Sequence, residues 1–439
     1  MDTLLLSRIQ FAVTIGFHFL FPPISIGLAW LLVILETRGW RQKDQEAVRL
    51  AQFFAKLLGI TFVVGVATGI VMEFQFGTNW SEYSKFVGDI FGAPLAAEGV
   101  FAFFLESSFL GLYLFGRSRV APGVHWFACL MVAVGATISA FWILVANSWM
   151  QTPAGFVLQN GRAELTSFSE AVFNPSMWLR FFHTIFSCLV CGGFFMAGIS
   201  AYLVRKNKEA ALMAKALKIS LVVAFVSSIL VAFPFGHEHV QQVAKTQPEK
   251  FAAMEGLYTT QSGAPLVLFG WVNTKPPELK AKVAIPNMLS WMAFGDVNAE
   301  IKGINDFPEE DVPPLRLTFV SFHNMVILGG FFIGVSSLGM VQMFRKRLVT
   351  SRRFLTLLIW SIPLPLVAIQ FGWTAAEVGR QPWIVYRVMR TSDAFSTTVP
   401  AGSVWFSLIM FSLIYVLLLV LYLFLIIREV KQGPAPAKV

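Results

Sequence analysis

Residues 402–427 read GSVWFSLIMFSLIYVLLLVLYLFLII and contain no charged side chain. A helix that crosses the hydrocarbon core of a bilayer needs about 20 mostly apolar residues, so this stretch predicts a transmembrane helix. Eight other apolar stretches predict eight more. The nine predicted spans cover residues 9–36, 52–76, 92–116, 123–148, 180–204, 215–236, 316–344, 354–377 and 402–427. The predicted fold class is therefore an all-α integral membrane protein.

The composition supports this fold class. Of the 439 residues, 56% are hydrophobic and 13% are charged, whereas about 25% of the residues of a typical soluble domain are charged. A soluble globular chain, a disordered chain, a collagen and a coiled coil are excluded. The net charge of +9 would suit nucleic acid, but most Lys and Arg residues lie in loops between apolar stretches. Membrane topology explains them, and no nucleic-acid partner is expected.

The distribution of basic residues predicts the orientation. Clusters such as Arg345-Lys346-Arg347 lie in the connections after the first, third, fifth and seventh spans and in the C-terminal tail. The connections on the other side carry few basic residues. Because cytoplasmic loops are enriched in Lys and Arg, the N-terminus is predicted outside and the C-terminus in the cytoplasm.

The spans divide the chain into four segments. Residues 1–236 hold the first six spans, 316–427 hold the last three, and 428–439 form a cytoplasmic tail. The connection 237–315 is polar, rich in proline and far longer than an ordinary loop. Connections of this length are usually functional or disordered, and aromatic patches predict that this external segment folds in part against the membrane surface.

Ionisable residues inside a membrane span are costly and indicate function by default. They are His18, Glu73, Glu98, Glu106, His125, His183, His323 and Glu377, and the thioether of Met325 joins them. At a rise of about 1.5 Å per residue, five of the group fall in the outer half of the membrane, beneath the long connection. These five are His18, Glu98, His183, Met325 and Glu377.

Histidine, methionine and carboxylate groups in an apolar, aromatic bundle suit haem. A His–Met pair makes a low-spin electron-transfer haem, whereas a single ligand leaves a position open for O₂. A lone histidine can instead be an interhelical hydrogen-bond partner, and this structural interpretation is preferred for His125. Met325 alone could be core packing, and Glu73 could be a water-exposed structural residue.

Glu98 and Glu106 are eight residues apart on one span, about 12 Å along a helix. This distance suits two stations of a proton path, with Ser139 of the next span as a hydroxyl neighbour; two separately paired carboxylates are the alternative. Cys188-x-x-Cys191 is interpreted as core packing because the strand–helix context of a redox site is missing. Gly236-His237-Glu238-His239 resembles a metal site only weakly.

Several blocks of the sequence together resemble subunit I of the cytochrome bd-type quinol oxidases, in order and to about residue 430. The blocks are Ser7–Ala12 with His18–Phe21, Gly65–Gly69 with Met72–Trp80, Ala97–Gly99 with Phe103–Ser107, Trp142–Asn147, and Gly379-Arg380-Gln381-Pro382-Trp383. One block alone would be only moderately specific, whereas the ordered set is highly specific.

The resemblance implies three haems in the membrane part. His183 and Met325 would ligate a low-spin haem b. His18 and Glu377 would serve two high-spin haems, one haem b and one haem d (or a further haem b), and which residue serves which haem stays open. Glu98 would lie at the oxygen-reducing haem, as iron ligand or proton donor.

The remaining implied roles surround these haems. Glu106 would lie on the proton-uptake route, with Ser139 near it. Trp373 and Arg380 would line the high-spin region, with Arg380 meeting a propionate. His323 stands where some members carry an arginine near the low-spin propionates.

The resemblance identifies 237–315 as the quinol-binding loop, of the short type. Lys250 and Glu255, five residues apart, would both contact quinol, because a carboxylate can accept a quinol proton and an ammonium can bind the quinone oxygen. Ubiquinol against menaquinol stays open, as does the sensitivity to inhibitors such as cyanide.

The implied protein is the haem-bearing subunit of a terminal respiratory oxidase in a bacterial or archaeal cytoplasmic membrane. Quinol would be oxidised at the outer face and O₂ reduced to water with protons from the cytoplasm, which would make turnover electrogenic without a pump. A subunit II and, in some members, a small single-helix subunit would be its partners.

Two other functions are compatible with part of the pattern. A proton-coupled secondary transporter would use buried Glu and His, but it predicts sites at the midplane and broken helices, and paired Gly/Pro interruptions are not evident in the sequence. A dihaem quinol-linked electron-transfer cytochrome predicts paired His ligands and has no need of Glu98 or Glu377. A membrane anchor without activity explains none of the buried carboxylates.

Overall fold

The computed structural model describes residues 2–274 and 277–436. In this part of the chain, nine helical stretches are long and apolar enough to cross a membrane: Thr3–Arg41, Gln45–Thr78, Ser81–Phe115, Pro122–Gln151, Met177–Arg205, Ala210–Thr246, Leu315–Phe344, Arg352–Val378 and Ala401–Gln432. A mostly helical, multi-pass membrane protein is thereby confirmed. The orientation stays a prediction, and residues 437–439 of the predicted tail lie outside the described residues.

The nine spans are built from thirteen α-helices. They are α1 (Thr3–His18) with α2 (Pro22–Arg41), α3 (Gln45–Thr78), α4 (Ser81–Ala97) with α5 (Phe104–Phe115), α6 (Pro122–Gln151), α8 (Met177–Arg205), α9 (Ala210–Leu230) with α10 (His237–Thr246), α13 (Leu315–Phe344), α14 (Arg352–Trp360) with α15 (Leu364–Val378), and α16 (Ala401–Gln432). Three shorter helices lie in the connections: α7 (Phe168–Val172), α11 (Pro248–Glu255) and α12 (Met288–Phe294).

Four of the spans are interrupted. The first span breaks between His18 and Pro22, where proline lacks the N–H that would continue a helix. π-helical segments, Glu98–Phe103 and Val231–Gly236, interrupt the third and sixth. An added residue in a π turn redirects side chains without changing hydropathy, which is why the sequence pattern did not predict these breaks.

Short strands in the connections make the protein less than strictly all-α. Four antiparallel pairs occur in the described residues: β1 (Phe156–Gln159) with β2 (Arg162–Leu165), β3 (Gln261–Ser262) with β6 (Glu300–Ile301), β4 (Leu266–Thr274) with β5 (Pro277–Ile285), and β7 (Trp383–Val385) with β8 (Met389–Arg390). As predicted, the long connection is folded, through α11, α12 and the β4–β5 hairpin.

A close contact between α2 and α8 positions the fifth span against the first. A Cβ atom on Gly27 would lie 2.0 Å from the Cys188 carbonyl oxygen, and one on Gly192 would lie 2.4 Å from the Gly27 backbone. Only glycine at these two positions allows the backbones of α2 and α8 to lie so close. Small residues commonly permit such close packing of membrane helices. Cys188 and Cys191 are free and buried here, in agreement with their interpretation as core packing.

His125 lies in a buried polar cluster at the far end of the bundle from the long connection. Its Nε2 lies 2.9 Å from the Tyr113 carbonyl oxygen, and its Nδ1 lies 3.8 Å from a Glu36 carboxylate oxygen. Glu36 also pairs with Arg117. These contacts agree with the structural interpretation of His125.

Candidate functional site

One cavity of about 1640 Å³ runs through the membrane part beneath the long connection. It is lined by every residue that the sequence singled out for haem, proton or quinol chemistry: His18, Glu98, Glu106, Ser139, His183, Lys250, Glu255, His323, Met325, Trp373, Glu377 and Arg380. The volume exceeds the roughly 300–1,000 Å³ of a typical small-molecule pocket. The cavity is therefore large enough for more than one bound group.

His183 of α8 is oriented for ligation through its Nε2 atom. Its Nδ1 lies 3.1 Å from the Val231 carbonyl oxygen in the second π segment. A carbonyl only accepts hydrogen bonds, so Nδ1 carries the proton and the Nε2 lone pair is available. Fixing one ring nitrogen in this way is how proteins orient a histidine ligand.

Met325 of α13 reaches the same cavity opposite a glycine. A Cβ atom on Gly372 of α15 would lie 2.8 Å from the Met325 Sδ. The missing side chain at position 372 therefore makes room for the thioether.

Replacing Gly372 by alanine tests the placement of Met325. We expect the new methyl group to displace the thioether and to convert part of the low-spin haem to high-spin, because sulfur ligation needs a defined position. Optical and EPR spectra of the Gly372→Ala variant measure this conversion. Gly334→Ala, with open space around its Cβ position, is the control. Unchanged spin state in Gly372→Ala would contradict the placement.

His18, the last residue of α1, is held by α3. Its Nδ1 lies 3.0 Å from the Thr68 hydroxyl oxygen, and that hydroxyl itself donates to the Val64 and Gly65 carbonyl oxygens. The Thr68 oxygen therefore accepts from Nδ1, and the Nε2 lone pair is again available. A Cβ atom on Gly69 would lie 3.1 Å from the His18 ring, so the absence of a side chain there leaves room for the imidazole.

Glu377, near the end of α15, is held between two polar groups. Asn147 donates to its Oε1 at 2.8 Å, and Arg380 pairs with its Oε2. Arg180 donates to the oxygen of the same Asn147 amide at 3.2 Å. Asn147 therefore connects the carboxylate to a second guanidinium.

Two cationic groups beside the cavity have spare donors. The Nε of Arg180 and the Nη1 of Arg380 are buried, and neither has a hydrogen-bond partner among the described residues. Unpaired buried donors are costly, and the propionate carboxylates of a haem would satisfy them. Together with the available lone pairs of His18 and His183, these donors fit the cavity lining for haem.

Arg180 and Asn147 were not selected by sequence reasoning. Arg180 is the first residue of a predicted span, and Asn147 lies near the end of another. A basic residue at the start of a span is ordinary, so the position of Arg180 did not indicate a functional role. A polar amide near the end of an apolar span is less usual and could have indicated one for Asn147.

Glu98 and Glu106 face two successive turns of α6. Ser139 donates to Glu98 Oε1 at 2.6 Å. A Cβ atom on Gly135, one turn away, would lie 3.1 Å from the Glu106 Cβ. The hydroxyl of Ser139 is thus bonded to Glu98 and lies one helical turn from the glycine that faces Glu106. The π segment that begins at Glu98 changes the relative direction of the two carboxylates.

His323 lines the cavity, and both of its ring nitrogens lie close to backbone carbonyl oxygens. Nδ1 lies 3.0 Å from the Phe319 carbonyl oxygen, and Nε2 lies 3.0 Å from the Val267 carbonyl oxygen of β4. Because carbonyl groups only accept hydrogen bonds and a neutral imidazole has one N–H, the neutral ring donates to one of these two oxygens. The Nε2 contact brings the β4–β5 hairpin next to α13, and the cofactor contact of His323 stays a prediction.

Two residues interpreted as structural or weakly metal-binding also line the cavity, namely Glu73 and His239. The His239 ring lies 5.9 Å from the His183 ring, and its Nε2 is buried without a partner. Among the described residues, no group of three or more His, Cys, Asp or Glu side chains forms a candidate metal centre. The weak metal motif at 236–239 is therefore not supported.

Lys250 and Glu255 lie on α11, which covers the cavity. The Lys250 ammonium donates to Gln151 Oε1 and to the Ala376 carbonyl oxygen, both at 3.0 Å. Burial, together with the nearby Arg180 guanidinium, lowers the pKa of Lys250 well below its usual value. Burial raises the pKa of Glu255 to about 8, and its Oε2 has no partner.

Comparison with known proteins identifies the family. The family model for cytochrome bd terminal oxidase subunit I matches residues 6–434. The chain is 41% identical to cytochrome bd ubiquinol oxidase subunit 1 of Bacillus subtilis strain 168, covering 99% of this chain and 94% of that protein. It is 34% identical to cytochrome bd-II ubiquinol oxidase subunit 1 of Escherichia coli strain K12, covering 99% and 97%.

A solved structure has the same fold. The structure of bd oxidase from Geobacillus thermodenitrificans matches with a TM-score of 0.92 at 33% identity, over 99% of both chains. The fold and the family match together define a terminal oxidase of the respiratory chain. The chain belongs to the cytochrome bd terminal oxidase subunit I family, which confirms the predicted enzyme class. No finding supports the transporter or the dihaem cytochrome.

Proposed function

We propose that this chain is the haem-bearing subunit of a quinol:oxygen oxidoreductase, in which His183 and Met325 hold a low-spin haem b. One observation carries the proposal: the ligand candidates and the quinol candidates all line one cavity. The hydrogen bond that holds His183 Nδ1 supports ligation through Nε2. When bound, the haems supply one-electron carriers and the centre at which O₂ is reduced.

His18 and Glu377 hold the two high-spin haems in this proposal, one haem b and one haem d or a further haem b. Arg180 and Arg380 meet propionates, for which their unpaired nitrogen atoms are suited. Trp373 lines the same region. Glu98 lies at the oxygen-reducing centre, as ligand or proton donor.

Quinol binds beneath α11 in this proposal. Glu255 accepts a hydroxyl proton because its ionised form is a base, and Lys250 directs its ammonium group to a quinone oxygen. Burial of both side chains excludes water from them, which strengthens their electrostatic interaction with a polar ligand. The substrate is ubiquinol or menaquinol.

The pH dependence of quinol oxidation tests the role of Glu255. With a pKa of about 8, Glu255 is mostly protonated at neutral pH, so the fraction in the basic form rises with pH. We expect kcat/KM to rise as the pH increases through about 8. In Glu255→Gln the rise should disappear and kcat/KM should fall by about 10²–10⁴, the usual contribution of a general base.

The control for this experiment is Glu278→Gln. Glu278 lies in the β4–β5 hairpin and pairs at the surface with Lys280, so its loss should leave the pH profile unchanged. A Glu255→Gln variant that keeps the rise with pH would exclude Glu255 as the base.

Protons for water formation pass Glu106 and then Glu98 from the cytoplasmic side, and quinol protons leave on the outer side. Both carboxylates face α6, Glu98 at Ser139 and Glu106 one turn away at Gly135, which supports a path along this helix. Turnover in proteoliposomes should therefore generate a membrane potential, negative on the side from which Glu106 takes protons. Turnover with no potential, in vesicles shown to be tight with an ionophore control, would contradict the proposed route.

The partners in this proposal are a subunit II and, in some family members, a small single-helix subunit. The membrane is the cytoplasmic membrane of a bacterium or archaeon. Copurification from solubilised membranes tests both subunits.

A reduced-minus-oxidised spectrum of the purified complex, with chemical identification of extracted haem, tests the function. Chlorin plus protohaem supports a haem d site. Protohaem alone with quinol-dependent O₂ uptake supports the variant with a further haem b. Absence of haem from a folded, haem-supplied preparation would overturn the ligand assignments.

A further inference from the structure

The β4–β5 hairpin exposes apolar side chains at the end of the bundle that carries the long connection. Phe269, Trp271 and Val283 are each about 60% exposed, at 60%, 58% and 58%. Leu268 and Ile285 are also exposed. We call these five residues the apolar hairpin face. The opposite side of the hairpin, through Val267 and Val272, is buried.

The strand register explains this separation. Val267 pairs with Ala284, and Val272 pairs with Leu279, and these residues face inward. Phe269 pairs with Val283, and both are exposed. The register shifts between Val267 and Phe269 and between Phe269 and Trp271, and such irregularities interrupt the alternation of side chains along a strand. The neighbours Leu268 and Phe269 are therefore both exposed, and the hairpin has an apolar face that no described part of the chain covers.

α13 shows how deep this hairpin lies. The helix has 30 residues, about 45 Å at 1.5 Å per residue, against a hydrocarbon core of about 30 Å. The basic cluster at Arg345 ends the helix on the opposite side. Roughly its first ten residues therefore lie at the level of the lipid head groups near the long connection.

β4 runs beside this part of α13. Val267 contacts His323 through its carbonyl oxygen, and the Arg316 guanidinium lies 5.0 Å from the centre of the Trp271 ring. Leu268 thus lies near the hydrocarbon boundary, whereas Trp271 lies near the head groups. Tryptophan and arginine are typical of this interfacial level.

The apolar hairpin face continues a lipid-facing stripe. Leu317, Val320 and Ile327 of α13 are 49%, 40% and 54% exposed, and their spacing places them on one side of the helix. Arg316 shares that side and carries the contact to Trp271. An exposed apolar side of a membrane helix is in contact with lipid. The apolar hairpin face adjoins this side of α13, so we expect it to contact lipid as well.

We infer that the apolar hairpin face is seated in the bilayer interface, with Phe269 among the acyl chains and Trp271 and Arg316 among the head groups. Lys282, exposed on β5, would direct its ammonium group to the phosphates, whereas Lys280 pairs with Glu278. Leu268 and Ile327 also line the large cavity, so this seating places one edge of the cavity at the lipid.

The test uses the complete oxidase with a fluorescent bimane label on Phe269→Cys, reconstituted in phosphatidylcholine vesicles. The three native cysteines are at most 2% exposed, so the unsubstituted oxidase gives the labelling background. Val283→Cys, on the paired strand, provides a second position. Glu309→Cys lies in the acidic, exposed segment Glu309–Asp311 and is the matched control.

Brominated acyl chains should lower the fluorescence of the labels at 269 and 283 about twofold, because an interfacial apolar face is buried by about 5–10 Å. Aqueous iodide should quench only the label at 309. Equal behaviour of all three labels would overturn the inference. Labels at 269 and 283 that neither quencher reaches would also overturn it, because a protein partner would then cover the face.

Discussion

Met325→Leu is expected to abolish the low-spin haem signal while the protein stays folded. Leucine and methionine have similar volumes, and such exchanges usually cost less than about 1.5 kcal/mol. The thioether sulfur, however, is lost from the site beside Gly372. Loss of a residue that only hydrogen-bonds to a metal ligand usually lowers activity at least about tenfold. Because Met325 is itself the proposed ligand, we expect quinol oxidase activity to fall by more than that.

Two further variants complete this experiment. Met410→Leu makes the same chemical change at a 37% exposed, lipid-facing position of α16 and should leave spectrum and activity unchanged. Met325→His should restore a low-spin haem with a lowered midpoint potential, since methionine ligation raises the potential. Persistence of the full low-spin signal in Met325→Leu would exclude Met325 as a ligand.

Glu377→Gln is expected to have the second large effect, on both stability and haem content. The substitution keeps an oxygen for Asn147 but removes the charge that faces Arg380, whose side chain is 4% exposed. An unpaired buried charge costs about 3–5 kcal/mol, so the Tm of the complex should fall. A high-spin haem should also be lost or weakened.

The double variant Glu377→Gln with Arg380→Gln separates the two effects. Neutralising both partners removes the unpaired charge, so Tm should recover towards that of the unsubstituted complex. Haem content should not recover, because the carboxylate is still missing. If haem content and Tm recovered together, the role of Glu377 would be structural rather than that of an iron ligand.

The spans were predictable because the signal is local. Whether residues 402–427 cross a membrane depends on the transfer free energies of those residues alone, and nearly the same stretches are helical in the structure. The common depth of His18, His183 and Met325 followed from the same arithmetic, since helical rise converts sequence position into depth.

Contacts between helices were not predictable in this way. Ser139 bonds to Glu98 because packing of α4 and α6 fixes their rotation and register, and neither quantity appears in hydropathy. His323 meets a carbonyl group that lies 56 residues earlier in the chain. Arg180 joins Glu377 only through Asn147, so three spans must be assembled before its role is visible.

Length and polarity along the chain therefore determined the membrane class, the nine apolar spans and the depth of the reactive side chains. The tertiary structure decided which ring nitrogen of His18 and His183 is left available, which hydroxyl and carboxylate meet, and which buried donors lack a partner. The physical reason is range: burial of apolar residues adds up locally, whereas hydrogen bonding in a low-dielectric interior depends on a few atoms brought together from distant spans.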